Sequence, residues 1–172
     1  MKKVYLANGL FTEADCAFNL VIYNKLVEAG FEVYAPQLNS KINDKVHTSA
    51  SSVKIFDADT NELHNSDILF AVLDDNDIGV AAEIGYVAAF NELNEKKKTV
   101  VGLYTDIRDL SKTYSEDKTK ESVTRGIGES QYSYINLYVV GAIKKYGEVF
   151  STVDECINYI LNKWLKYDAK YD

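Results

Sequence analysis

The chain has 172 residues, 47% of them apolar and 26% charged, and a net charge of −7. That length suits one domain, able to bury roughly 70% of its unfolded surface. The acidic balance argues against a nucleic-acid polymer as partner, which needs a basic face, and no run approaches the roughly 18 apolar residues of a membrane span.

Residues 3–7 (KVYLA) read as a short apolar strand, followed by the loop NGLFTEAD. Residues 14–29 have helical spacing, with Ala17, Leu20, Val21, Tyr23, Leu26 and Val27 on or near one face. Thr12 or Asp15 can cap this helix, and Gly30 stops it. A second strand, 31–35, is halted by Pro36, and residues 37–47 are polar and read as loop. Residues 48–65 read as a helix with Val53, Phe56 and Leu63 inward. The run 68–73 (ILFAVL) lacks polar alternation, as in a central parallel strand. A helix over 79–94 follows, then the charge run Lys96, Lys97, Lys98, read as a solvated turn, and a fourth strand at 99–104. Residues 105–128 are polar and too long for an ordinary connection, so they form an insert. A helix is predicted over 134–145, a fifth strand over 148–150 and a last helix over 151–167, where Ser151 and Asp154 resemble a capping box. Strands and helices alternate. The expected fold is a single α/β domain over residues 1–172, a five-stranded parallel sheet of flavodoxin/Rossmann-like type with helices on both faces. Ligands of such sheets bind beyond the carboxyl ends of the strands. Residues 8–11 and 74–83 both lie there.

The most informative stretch is LDDNDIGVAAEIGYVAAF, residues 73–90. Glu83 sits among small and apolar residues, and a buried carboxylate is normally paired or used. The positive end of the helix favours its ionised form. A fixed carboxylate can attack a sugar carbon, and a second acid can protonate the leaving group. Asp59 is a candidate for that acid, or else a surface carboxylate. Asp77 either caps the helix or takes part in the site. Tyr5 is either a core tyrosine or a group that holds a catalytic carboxylate in one rotamer. Asn8 and Gly9 offer a backbone that a ligand could approach, although NG is also an ordinary turn. Tyr132, Tyr134 and Tyr138 cluster beside Asn136, where an interface or base stacking is possible. His47 and His64 lack metal-ligand spacing and read as surface residues. Cys16 and Cys156 lack CxxC spacing and read as buried thiols of a reducing compartment. There is no GxGxxG and no Walker loop. The start MKKVYLANGL has the charge of a signal peptide, but its apolar run is short and broken by Asn8 and Gly9, so a cytoplasmic location is expected.

Taken in order, these pieces resemble the nucleoside 2-deoxyribosyltransferases. The anchor is DIGVAAEIGYVAA, an Asp, a glycine and then Glu-x-Gly on a helix. The resemblance implies that Glu83 is the nucleophile, that Asp77 binds a sugar hydroxyl and that Tyr5 hydrogen-bonds the nucleophile. It implies that Phe11 lines the pocket and that Asp59 gives a proton to the leaving base. Asn136, in YINLY, would reach into a neighbouring subunit's pocket to bind the sugar. Gln37 stands near the place where some members have a glutamine touching the base, and some members use the C-terminal carboxylate, which here would be Asp172. The implied activity moves 2-deoxyribose between nucleobases through a covalent glycosyl-enzyme intermediate, with retention of the β-anomer. It needs no cofactor and no metal. The partners implied are deoxynucleosides, free nucleobases and further copies of the chain sharing the site.

Two other readings compete. A hydrolase of deoxynucleoside 5′-monophosphates would need phosphate donors, which Ser122, Thr124 and Arg125 could supply. A non-catalytic nucleotide-binding or receiver-like module is the other. A phosphoacceptor receiver wants an acidic pair after the first strand, where this chain has ANGLF.

Overall fold

The computed structural model describes residues 1–43, 50–106 and 135–168. In chain order these form β1 (Lys3–Ala7), α1 (Glu13–Glu28), β2 (Glu32–Tyr34), a 3-10 turn (Pro36–Leu38), α2 (Ser40–Asn43), α3 (Ser52–Asn65), β3 (Ile68–Val72), α4 (Ile78–Leu93), β4 (Thr99–Leu103), α5 (Leu137–Tyr146), β5 (Gly147–Phe150) and α6 (Val153–Asp168). The strands pair in parallel, in the order β2-β1-β3-β4-β5. This is the flavodoxin-like order, in which the ligand crevice opens between β1 and β3, where the strand order reverses.

Strand alternation divides the core into two layers. Tyr5, Ala7, Leu69, Ala71 and Val100 face Val80, Ile84, Val140 and Ile143 of α4 and α5. Val4, Leu6, Ile68, Phe70 and Val101 face Ile22, Leu26, Cys156 and Ile160 of α1 and α6. Helices therefore cover both faces, and β3 and β4 are buried along their whole length. Apolar runs without alternation are what such two-sided burial requires.

Local signals set the ends of the elements. Thr12 and Asp15 both cap α1, as a reciprocal capping box. Gly30, at φ 90°, ends it: its N–H bonds the Val27 carbonyl while the Phe31 N–H bonds that of Leu26. This is a Schellman closure, which needs a left-handed residue at that point.

Several local expectations are corrected. The inward face of α1 is Asn19, Ile22 and Leu26, whereas Leu20, Val21 and Val27 are largely exposed. Val53 and Phe56 of α3 point outward, and Leu63 alone of the three predicted core positions is buried. The predicted loop at 37–47 contains the 3-10 turn and α2, and its remainder lies outside the described residues. Lys98 is buried rather than solvated, and its ammonium donates to the His64 and Ser66 carbonyls at the C-terminal end of α3. That end of a helix is negative and short of donors. The box at α6 is Thr152 with Glu155, one residue later than Ser151 with Asp154. Asp154 instead pairs with Lys25 on the surface. Most of the insert at 105–128, together with Tyr132, Tyr134, His47 and Asp172, lies outside the described residues.

Candidate active site

Helix α4 begins one residue earlier than the glycine suggested, with Asp77 as its N-cap accepting a hydrogen bond from the Val80 N–H at 2.9 Å. Glu83 therefore stands in the second turn, beyond the first-turn amides. It points inward over the carboxyl end of β1. There the Tyr5 hydroxyl donates to Glu83 Oε1 at 2.5 Å. Tyr5 is fully buried, and this bond satisfies its one polar atom.

A cleft of about 260 Å³ opens above this pair, walled among others by Phe11, Asp59, Asp77, Val80 and Glu83. That volume is near the lower end of small-molecule sites, roughly 300–1,000 Å³. The cleft lies at the β1/β3 crevice, between the loop after β1 and the turn after β3. It draws together four of the predicted site residues, with Tyr5 beneath. Asp77 caps α4 and also lines the cleft.

The other candidates are placed differently. Gly9 is buried beside the cleft, and its carbonyl accepts from Asn19 Nδ2 at 3.0 Å. Gln37 is not on the cleft wall: its amide donates to the Cys16 carbonyl at 3.0 Å and accepts from Asn19 at 2.9 Å. Asn136 caps α5, its side chain accepting from the Tyr138 N–H, and lines a separate cavity of about 130 Å³ on the far side of Asp77 and Val80. His64 is exposed, as expected, with its ring bonded to the Tyr86 hydroxyl. A larger cavity of about 670 Å³, walled by Lys2, Lys96, Lys144, Lys163 and Trp164, opens at the amino ends of the strands. It is at the wrong end of the sheet for this chemistry.

Electrostatics separate the carboxylates. Burial pushes Glu83 up to about 7; the Tyr5 hydrogen bond opposes this, and the charges of Asp59 and Asp77 add to it. The helix-end argument for an ionised Glu83 thus loses to desolvation, the larger effect for an acid this deep. Burial also raises Asp59, against a hydrogen bond from the Tyr34 hydroxyl, with the Glu62 charge contributing further upward. Tyr5 is pushed up by burial and by Glu83, so it remains a donor. Two acids of raised pKa and one phenol facing a cleft can perform nucleophilic and acid–base chemistry. Among the described residues no cluster of three His, Cys, Asp or Glu side chains is arranged to hold a metal ion. No described helix is long and apolar enough to cross a membrane.

Sequence reasoning missed two residue groups. Asn19 is a buried hub: it bonds Asn8, Gly9 and Gln37, tying the loop after β1 to the 3-10 turn. Tyr34 and Asn39 form a chain to Asp59. Asn19 lies on the inward face of α1 beside Ile22 and Leu26, a face displaced from the one the helical spacing suggested. No sequence signal marked Tyr34.

The sequence matches the family described as nucleoside 2-deoxyribosyltransferase over residues 4–148. Among solved structures, a conserved protein from Enterococcus faecalis V583 is 36% identical, with 95% of this chain and 99% of that one covered and a TM-score of 0.75. A 2-deoxyribosyltransferase from Bacillus psychrosaccharolyticus is 20% identical over 91% of each chain, at a TM-score of 0.63. A 2-desoxiribosyltransferase from Leishmania mexicana is 19% identical over 94% of this chain and 98% of that one, at 0.61. The last two likenesses show the fold. No curated protein matches the chain. The family match runs from β1 into β5 and contains every residue of the cleft. On that match the chain belongs to the nucleoside 2-deoxyribosyltransferase family of enzymes.

Proposed function

We propose that this protein exchanges nucleobases on 2-deoxyribose through a covalent ester on Glu83, with retention of the β-anomer. The observation that carries the reading is the Tyr5–Glu83 hydrogen bond of 2.5 Å in a cleft that also contains Asp59 and Asp77. Tyr5 fixes one oxygen of Glu83 and leaves the other to attack C1′ of the sugar. As that C–O bond forms, the N-glycosidic bond breaks and its electron pair moves to the base, which takes a proton from Asp59. An incoming base then attacks C1′ from the opposite side, releases the Glu83 carboxylate and returns its proton to Asp59. Two inversions give net retention. Asp77 orients the sugar, and Phe11, exposed at the cleft mouth, packs against it. The ester survives only where water is scarce.

The described residues of one chain leave the cleft open. Phe11, Val53, Phe56, Ile78 and Tyr138 are each more than half exposed around this end of the sheet. A neighbouring copy packed there would exclude water and bring its Asn136 to the sugar. A homo-oligomer with a shared site is therefore part of the reading, as is a single transferase domain spanning the chain.

The test is incubation of a 2′-deoxynucleoside with a second free base. Base exchange with little free deoxyribose is expected, and intact-protein mass spectrometry after a 2-fluoro-2-deoxy nucleoside should show one added sugar. Glu83→Ala should lose at least ~10³-fold in rate, because the covalent route is gone. Base release without exchange would favour the hydrolase, and full activity in Glu83→Ala would end the mechanism.

A further inference from the structure

Tyr5 and Tyr34 are register partners on adjacent parallel strands, so their side chains leave the same face of the sheet. Their rings pack 5.3 Å apart between centroids at a tilt of 37°. Each hydroxyl goes to a different carboxylate: Tyr5 donates to Glu83 at 2.5 Å, and Tyr34 donates to Asp59 Oδ1 at 3.0 Å. Tyr34 in turn accepts from Asn39 Nδ2 at 3.0 Å. An amide NH₂ can only donate, so Asn39 turns the single O–H of Tyr34 toward Asp59.

We propose that Tyr34 is a positioning residue for Asp59: with Asn39 behind it, Tyr34 occupies Oδ1 and leaves Oδ2 as the oxygen that exchanges a proton with the base. Oδ1 accepts this bond whether Asp59 is a carboxylate or an acid protonated on Oδ2. The carboxyl group therefore keeps one orientation while it gives the proton up and takes it back. Two tyrosines in tilted contact would then set the two acids of the site, one for the sugar and one for the base. The inference rests on the reading of Asp59 as the proton donor.

A leaving group that needs no proton separates this role from general support of the fold. The first step is measured in single turnover on an ordinary 2′-deoxynucleoside and on 4-nitrophenyl 2-deoxyriboside, which departs as a stable phenolate. Tyr34→Phe keeps the ring against Tyr5 and removes the hydroxyl. The ratio of the two rates, nucleoside over nitrophenyl donor, should fall at least about tenfold in Tyr34→Phe. It should fall further, about 10²-fold or more, in Asp59→Asn, in line with the usual worth of a general acid. The double variant should be no worse than Asp59→Asn alone, because the two groups act as one unit. Equal losses on both donors in Tyr34→Phe would make Tyr34 merely structural and overturn the proposal. An unchanged ratio in Tyr34→Phe beside a lowered one in Asp59→Asn would overturn it while leaving Asp59 as the acid. An unchanged ratio in Asp59→Asn would remove the acid role itself, and the Tyr34 role with it. Asn39→Ala, which leaves the tyrosine in place, should show the same selective loss to a smaller degree and carries the test if Tyr34→Phe fails to fold.

Discussion

Glu83 is held where water would otherwise stabilise its charge, and the consequence can be measured without any substrate. Its pKa is pushed from 4.5 up to about 7, chiefly by burial. In the unfolded chain the group ionises near 4.5; in the folded protein it keeps its proton until about 7. Between those values the folded state binds more protons, so stability falls as pH rises through this window and stays lower above it. A shift of this size corresponds to about 3 kcal/mol. Glu83→Gln abolishes the titration. Chemical denaturation at pH 4 and pH 8 should therefore show the variant gaining about 3 kcal/mol on the parent between the two pH values. A constant difference across that range would mean that Glu83 is not desolvated in solution. The neighbouring phenols stay protonated throughout, since burial raises both Tyr5 and Tyr34.

At the scale of elements, the loop after β1 carries Phe11 to the cleft but makes little regular structure of its own. Its anchor is Asn19 on α1, which accepts from Asn8 at 2.8 Å and donates to Gly9 and Gln37. Asn19→Ala leaves the Gly9 carbonyl and the Gln37 amide oxygen without this donor. That should cost about 2–3 kcal/mol in a urea melt, the usual penalty for stranded buried polar groups. It should also raise KM more than it lowers kcat, because Phe11 loses its placement while Glu83 and Asp59 sit on other elements. A melt unchanged within error would show that the loop holds itself. Gln37 belongs to this network and so stabilises the rim of the site from behind.

Across the whole molecule, apolar side chains are exposed around the cleft end of the sheet. Phe11 is 79%, Phe56 61%, Ile78 87% and Tyr138 85% exposed. A concentration of large exposed apolar groups at one end of a chain marks an interaction surface. Sedimentation of the purified protein should find an oligomer, and Phe56→Asp together with Tyr138→Asp should give monomers whose exchange rate falls by at least ~10²-fold through the opened site. A fully active monomer would remove the shared-site reading.

The alternation of strands and helices, the apolar central strands, the Thr12–Asp15 cap and the stop at Gly30 are legible in the chain because each depends on near neighbours and on periodicities of two or 3.6. The Asp77–Glu83 block was legible for the same reason: both acids lie on one turn and its helix. The outward turn of Phe56 and Val53 was not, because an apolar residue obeys helical spacing whether it meets its own sheet or another surface. Nor were the pairs that build the site. Tyr5 and Glu83 are 78 residues apart, and Tyr34 and Asp59 are 25 apart. Only the parallel register of β1 with β2, and the seating of α3 and α4 over them, decides that two tyrosines stand side by side beneath two carboxylates. Burial, which outweighs the helix end in setting the protonation of Glu83, is likewise a property of the assembled layers. By itself the sequence determined the alternation of strands and helices and the Asp77–Glu83 block; tertiary packing decided which groups touch and how far burial raises Glu83.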